Sequence, residues 1–198
     1  MRPMFGKARK IYEWASLKAK KRFAPFWLGV IFLTEMIFFI PLDAILLLFC
    51  LENPSRRYFY AFMATLASAI TGAIGYFLGY LAWDFLGPYV LDRWISSSFF
   101  NQLCDHYQAV QNTAVFVGAL IPIPFKAVTL SAGVCHLHFL PFIGAVIAAR
   151  MLRFFLIAKV TEKWGLWIKA FIDKHFHKFV VAVALKIGLA LSFFWVLT

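Results

Sequence analysis

Long apolar stretches separated by short polar ones run along this chain. The clearest covers residues 58–83, where 26 consecutive positions lack Asp, Glu, Lys and Arg. A helix needs about 20 apolar residues to cross the hydrocarbon core of a bilayer. A second such stretch covers about 139–158, although it carries Arg150 and Arg153, and a third covers about 179–198. We predict a helix over each, with the first two spanning a membrane.

The stretch from residue 26 to 51 is also apolar, but Glu35, Pro41 and Asp43 interrupt it. A charged side chain that faces lipid is costly, and proline removes a backbone donor and breaks a helix. Irregular backbone at membrane depth is tolerated where protein or water surrounds it. We therefore predict a re-entrant hairpin of two short helices, with Pro41 at their junction.

A second broken stretch covers residues 113–136, where Pro122, Pro124 and Lys126 interrupt the apolar residues and Gly133 follows as a further hairpin-forming residue. Each broken stretch precedes an unbroken one. Broken segments at corresponding positions of two halves are typical of inverted-repeat transporters. Two full spans in place of two hairpins would leave both chain ends in the cytoplasm equally well, but hairpins put Arg56 and Arg57 inside and only Arg93 outside, which favours them. The predicted parts are a first repeat over about 25–84, an amphipathic interfacial helix over about 92–112, and a second repeat over about 113–160.

Small residues form one face of the first unbroken helix. Ser68, Gly72, Gly75 and Gly79 recur at spacings of four, three and four, and residues three or four apart are neighbours on a helix surface. Small residues let a second helix approach closely in a membrane. We predict close helix packing on this face.

Composition removes the soluble classes of protein from consideration. Hydrophobic residues make up 63% and charged residues 15% of the 198 residues, against roughly 45–50% and 25% in an ordinary soluble domain. The mean hydropathy is +0.78. The excess apolar surface has to face lipid. The predicted fold class is therefore an all-α polytopic membrane protein, an inverted repeat with two re-entrant helical hairpins plus spanning helices, in a single membrane domain over 25–198.

The basic residues flank the apolar stretches. The chain has 20 Lys and Arg against 9 Asp and Glu, and strongly basic flanks lie at residues 1–22 and 159–178. Lys and Arg are in excess on the cytoplasmic side of membrane proteins. We predict a bacterial inner-membrane protein whose cytoplasmic N-terminus forms a basic amphipathic helix over 1–24. The alternative of a charged tail that only sets the orientation stays open. We interpret the charge as orientation and contact with anionic lipid, with no nucleic-acid partner.

Six ionisable side chains lie within the apolar stretches. Lys186, alone in the last stretch, is expected to snorkel to the membrane surface. The other five are Glu35, Asp43, Lys126, Arg150 and Arg153. An uncompensated charge at mid-bilayer costs roughly 2.5–3.5 kcal/mol on insertion scales, so each is a candidate site residue. Two acids of the first half oppose three bases of the second. Two interpretations stay open: structural ion pairs that hold the repeats together, or a polar cavity. In such a cavity the acids would exchange protons and the bases would bind an anionic phosphate headgroup.

Cysteine and histidine carry weaker signals. Cys50, Cys104 and Cys135 are odd in number, lie in three segments and lack a CxxC spacing, so we predict neither a disulfide nor a zinc site. HxH pairs at 136–138 and 175–177 are weak metal signals, and we interpret them as interfacial histidines. The chain contains no catalytic motif, and we predict no enzyme, no metal and no cofactor.

Two runs resemble a known family: GALIPIPFKAVTLSAG at 118–133 and RMLRFF at 150–155. They are similar to the DedA family, also called the VTT or SNARE-associated Golgi protein family, and most of all to its YqaA-type branch. The first half agrees in Glu35, in PLD at 41–43 and in the glycine-rich run at 72–80. The resemblance implies two re-entrant hairpins in an inverted repeat and a role in lipid translocation, for which proton coupling has often been proposed.

Three functions follow as hypotheses. The leading one is a transporter that flips or scrambles an anionic phosphate-bearing lipid, with membrane lipids and protons as partners. The second is a proton-coupled carrier of a small soluble anion. The third is a non-transporting assembly or structural protein, which the basic N-terminus and the glycine face also fit. A homo-oligomer is left open.

Overall fold

The computed structural model describes residues 17, 19, 23–34, 42–93, 96–121 and 124–174, and this part of the chain is helical throughout apart from short connections. A 3₁₀ turn at Pro54–Arg56 joins the second helix to the third. The α-helices are α1 (Ala24–Leu33), α2 (Leu42–Glu52), α3 (Arg57–Arg93), α4 (Ser97–Ala109), α5 (Gln111–Leu120), α6 (Phe125–Val134) and α7 (Phe139–Lys174). Several predictions lie outside the described residues: those for Glu35, Pro41 and Pro122, most of the N-terminal helix over 1–24, and the C-terminal helix over 179–198.

The predicted all-helical fold is confirmed. Among the described residues, two segments are long and apolar enough to cross a membrane: Pro54–Phe85, which is the 3₁₀ turn and most of α3, and Phe139–Phe171 in α7. Both helices extend beyond the predicted stretches, α3 to Arg93 and α7 to Lys174. A helix of 37 residues is about 55 Å long at 1.5 Å per residue, whereas the hydrocarbon core is about 30 Å thick. Their polar ends therefore fit the headgroup layers.

Helix α3 has two contrasting faces. Ser68, Gly72, Gly75 and Gly79 are buried. The large apolar side chains of the other face are exposed: Phe62, Leu66, Ile70, Ile74, Phe77, Leu81 and Phe85. Contiguous exposed apolar surface of this kind is rare on soluble monomers. The small residues therefore face protein and the large ones suit lipid.

The chain divides into two compact units. Unit 1 comprises residues 1–67 and 151–198, and unit 2 comprises residues 68–150. Each has its own hydrophobic core. The predicted repeats have other boundaries and stay predictions.

The core of unit 1 is built on α1 and α2, which pack against each other. The ring of Phe32 meets that of Phe154 edge to face at 5.3 Å between centroids, and Phe49 meets Tyr60 in the same way at 5.8 Å. All four side chains are fully buried. Edge-to-face aromatic pairs of this kind add about 0.5–1.5 kcal/mol beyond their buried area.

In unit 2, α5 and α6 form a second pair of short packed helices. Gly118 of α5 lies so close to Val128 of α6 that an added Cβ would be 3.0 Å from a Val128 methyl carbon. Pro124 precedes the first residue of α6, and its carbonyl accepts a hydrogen bond from the Ala127 N–H at 2.9 Å. Proline suits this position because the N–H groups at the start of a helix have no intrahelical partner.

Helices α3 and α6 touch through their backbones. An added Cβ on Gly79 would collide with the Leu130 carbonyl, and one on Gly133 would collide with the Tyr76 carbonyl and the Tyr80 amide. Gly133 lies inside α6, where the absence of a side chain lets α3 approach. Its predicted part in forming a hairpin stays a prediction.

Candidate functional site

Asp43 and Arg153 form the central ion pair of unit 1. The Arg153 Nε donates to the Asp43 Oδ1 at 3.0 Å, and Nη2 donates to Oδ2. The side chains are only 16% and 23% exposed for Arg153 and Asp43, respectively. Two parallel charge-assisted hydrogen bonds fix both groups in one plane, and the pair joins residues 110 apart in the sequence.

The local structure explains the position of the carboxylate. Asp43 lies in the first turn of α2, where the unbonded N–H groups and the helix dipole favour a negative charge. Arg153 lies in the middle of α7 and is half-buried, directly before the buried Phe154. Sequence patterning predicted the acid, the base and their opposition. The pairing of these two among five candidates required the tertiary structure.

Arg150 lies in unit 2 and is 5% exposed. Its guanidinium carbon is 3.8 Å from the centroid of the Phe125 ring, a distance at which a cation is attracted to the aromatic face. Phe125 is itself buried at the start of α6. Phe125 was not among the residues predicted from the sequence, and its only signal there was its position between Pro124 and Lys126.

Lys126 is half-buried in the first turn of α6. Its backbone carbonyl accepts a hydrogen bond from the Thr129 hydroxyl at 3.2 Å. The described candidates are thus distributed over both units: Asp43 and Arg153 in unit 1, Lys126 and Arg150 in unit 2. A common cavity for them stays a prediction, as does the role of Glu35.

The cysteine prediction is wrong. Cys104 of α4 and Cys135 form a disulfide with Cα atoms 5.1 Å apart, and only Cys50 is a free thiol. The two cysteines are 31 residues apart, and they approach because the chain from α5 to α6 turns back on itself. Neither an odd number of cysteines nor the absence of a CxxC spacing reports on such a return.

Two glutamines fix the same region. The Gln108 side chain donates to the Cys135 carbonyl at 3.0 Å, and the Gln111 side chain donates to the His138 carbonyl at 2.7 Å and accepts from the His138 N–H at 3.2 Å. Cys104, Gln108 and Gln111 are four and three residues apart. The spacing of four between Cys104 and Gln108, both in α4, was the available signal that these two share one face.

The turn after α6 is closed by its own backbone. The Leu137 N–H donates to the Ala132 carbonyl and the His136 N–H to the Gly133 carbonyl, while His136 adopts a positive φ of 50°. This is the hydrogen-bond pattern of a Schellman cap. His136 also stacks on Tyr80, with ring centroids 4.3 Å apart, and lies 3.7 Å from the Asp84 carboxylate.

Further polar contacts of unit 1 join its helices at one end. Lys169 of α7 lies 3.4 Å from the Glu52 carboxylate of α2. The Tyr58 hydroxyl donates to Glu162 at 2.6 Å, and Lys159 pairs with the same carboxylate at 3.1 Å.

Comparison with known proteins adds the family. The VTT domain model matches residues 57–163, more than half of the chain. The chain belongs to the VTT domain (DedA) family. An uncharacterized protein of Haemophilus influenzae is 35% identical over 157 residues, covering 79% of each chain. A second uncharacterized protein, from Histophilus somni, is 38% identical over 157 residues, which is 79% of this chain and 80% of the relative. No solved structure matches the chain significantly.

The VTT domain range contains Lys126, Arg150 and Arg153, whereas Asp43 precedes it. Family membership, together with two helices long and apolar enough to cross a bilayer, makes this a membrane protein. The resemblance drawn from the sequence is therefore confirmed at the level of the family.

Proposed function

We propose that this VTT-domain protein is a transporter that translocates an anionic, phosphate-bearing lipid across a bacterial inner membrane. The observation that carries the proposal is the bidentate, largely buried pair of Asp43 and Arg153. A buried ion pair is weak support for stability, because the desolvation of both charges offsets their attraction. We therefore interpret the pair as a site where Arg153 can exchange the Asp43 carboxylate for another anion.

A phosphate can open the pair. Arg153 binds the carboxylate through two nitrogens, and the same planar fork binds two phosphate oxygens. A headgroup that replaces Asp43 keeps both donors bonded. The released carboxylate then takes up one proton from water, because an unpaired carboxylate in a poorly solvated environment favours its neutral form. Lipid binding and proton uptake are thereby coupled, and Asp43 gives up the proton when it pairs with Arg153 again.

Arg150 and Lys126 are proposed as further cations for the headgroup, and Glu35 as a second proton-binding acid. Arg150 lies over the face of the Phe125 ring, which attracts and orients a guanidinium.

The proposed architecture is the inverted repeat. We infer that α1 with α2, and α5 with α6, are re-entrant hairpins, the first entering from the cytoplasm and the second from the periplasm. The short packed helices of each pair support this, since 10 or 11 residues are too few to span a bilayer. The disulfide of Cys104 and Cys135 also supports it, because both cysteines would then face the periplasm, where disulfides persist.

Labelling with a membrane-impermeant maleimide tests this orientation. Burial raises the pKa of the Cys50 thiol from 9.0 to about 12, so it holds almost no reactive thiolate at neutral pH, and the other two cysteines are bonded. We expect the oxidised wild type to stay unlabelled. Asn112→Cys should label in intact cells, and Ser55→Cys only after the membrane is opened. Labelling of Ser55→Cys from outside would overturn the hairpin topology.

Lipid translocation is tested in vesicles of phosphatidylcholine that contain a trace of fluorescent phosphatidylglycerol. Dithionite bleaches the outer leaflet alone, so we expect empty vesicles to lose about half of the signal and vesicles with wild-type protein to lose nearly all. Asp43→Asn should transport with little dependence on pH, because its side chain cannot bind and release the coupled proton.

Other outcomes decide against the proposal. Bleaching equal to that of empty vesicles for several headgroups would remove lipid translocation. Uptake of a soluble anion driven by a pH gradient, without lipid movement, would favour the soluble-anion carrier. Variants that lose abundance but show no transport phenotype would favour an assembly role.

A further inference from the structure

A cavity of about 370 Å³ lies in unit 1, between the end of α2, the start of α3 and the C-terminal part of α7. Its size is within the range of about 300–1,000 Å³ typical of small-molecule sites. The lining residues that bear on its chemistry are Arg57, Glu162, Lys163, Trp164, Trp167 and Lys169. None of these belongs to the proposed transport residues.

The cavity is electropositive. Three bases and one acid line it, and the acid, Glu162, is already bound by Lys159 at 3.1 Å and by the Tyr58 hydroxyl at 2.6 Å. Lys169 pairs with Glu52 at 3.4 Å. These four bases and two acids leave an excess of two positive charges, which favours an anion as the occupant.

The guanidinium of Arg57 has a hydrogen-bond donor available for a ligand. It is half-buried, and its Nε donates to the Pro54 carbonyl at 2.6 Å, which orients the guanidinium. Its Nη1 is buried and finds no hydrogen-bond partner among the described residues. A buried N–H of a charged group without an acceptor costs free energy, and an anion in the cavity would bring the guanidinium both acceptors and counter-charge.

Two tryptophans indicate the depth of the cavity in the membrane. Trp164 and Trp167 are largely exposed, and indole rings concentrate at membrane–water interfaces. Helix α7 leaves helical geometry at Trp164, with φ −124° and ψ 16°, and Lys163 lies 5.0 Å from the Trp164 ring centre. The segment therefore combines aromatic rings and ammonium groups at the level of lipid headgroups.

We propose that this cavity binds the phosphate of an anionic phospholipid from the adjacent leaflet, with Arg57 and Lys163 as its main ligands. A lipid is favoured over a soluble anion because the exposed indoles would contact glycerol and acyl groups. Basic pockets of this kind beside membrane helices bind anionic headgroups. The site is separate from the pair of Asp43 and Arg153 and does not depend on the transport proposal.

A matched pair of variants tests the site. Arg57→Gln and Arg56→Gln remove the same charge from adjacent positions, but only Arg57 lines the cavity. Native mass spectrometry of the purified full chain counts phosphatidylglycerol bound from mixed micelles with phosphatidylcholine. We expect selective binding of phosphatidylglycerol to the wild type and to Arg56→Gln, and about tenfold weaker binding to Arg57→Gln, the effect of losing a charged hydrogen bond.

Further measurements keep the test decisive. Should Arg57→Gln not yield folded protein, the exposed Lys163→Gln replaces it and is expected to weaken binding in the same direction. Equal binding by all variants would overturn the site, because the selectivity for phosphatidylglycerol would then come from the overall positive charge of the protein. Inorganic phosphate that displaces phosphatidylglycerol at equal concentration would overturn the lipid in favour of a soluble anion. Because Asp43 is unchanged throughout, failure here leaves the transport assay unaffected.

Discussion

Replacing Gly133 with alanine is expected to lower the stability of the protein by about 3 kcal/mol, since overpacking typically costs about 1–3 kcal/mol and sometimes more. The added methyl group would meet the Tyr76 carbonyl and the Tyr80 amide. Both are backbone groups of α3 and cannot rotate away as a side chain can. In a protein of this length, that loss corresponds to a fall in melting temperature of about 6–12 °C, measurable by thermal unfolding in detergent.

Two other glycines calibrate this result. At Gly72 the nearest atom to an added Cβ is the ring tip of Phe125 at 3.2 Å, which can shift, so Gly72→Ala should cost less. Gly144 has no atom within 4 Å of the same position, and alanine favours a helix over glycine by about 1 kcal/mol. We expect Gly144→Ala to leave the melting temperature unchanged or slightly raised. Equal melting temperatures for all three variants would contradict the backbone contact between α3 and α6.

Truncating Arg153 to alanine should cost about 3 kcal/mol, because it leaves the Asp43 carboxylate largely buried and without its bidentate partner. The double variant Asp43→Ala/Arg153→Ala removes both charges. Its loss should be smaller than the sum of the two single losses by on the order of 1–3 kcal/mol. Thermal unfolding of the wild type, Asp43→Ala, Arg153→Ala and the double variant gives the four stabilities from which this coupling is calculated.

The exposed pair of Lys159 and Glu162 is the control, and its alanine variants should show no measurable coupling. Asp43→Asn separates structure from function, since it keeps the shape of the side chain and removes only its titration. Normal recovery of Asp43→Asn together with transport that no longer responds to pH supports proton coupling. Large stability losses in every variant, with none altering the pH response, would leave the pair a purely structural element.

The long elements were predictable because their signal is local. An uncharged run at 58–83 and an apolar run at 139–158 can only lie in lipid or in a core, and α3 and α7 contain them. The break at Pro124, after which α6 begins, was predictable from an equally local signal, because proline interrupts a helix. The ends of the long helices were not. Where a helix ends depends on the depth of its residues in the membrane, which the hydropathy of a short window does not measure.

The candidate site was predictable only as a set of residue types. A charged residue inside an apolar stretch is recognisable as a candidate because its insertion into the membrane costs free energy. Asp43, Arg150 and Arg153 were predicted on this basis. The contacts of Arg150 and Arg153 differ, although the two residues are three positions apart on α7. Arg153 takes the carboxylate of Asp43, whereas Arg150 covers the ring of Phe125, and no spacing rule distinguishes the two.

By itself, the sequence determined that the chain is helical, that it belongs in a membrane, and that buried charges require partners, because all three follow from apolar runs and from the cost of desolvating charge. The tertiary structure alone decided which partners meet. It joined Cys104 to Cys135, set Gly133 against the backbone of α3, and formed the basic cavity beside Arg57. These contacts connect residues far apart in the chain, and their geometry depends on how the helices pack rather than on any local pattern.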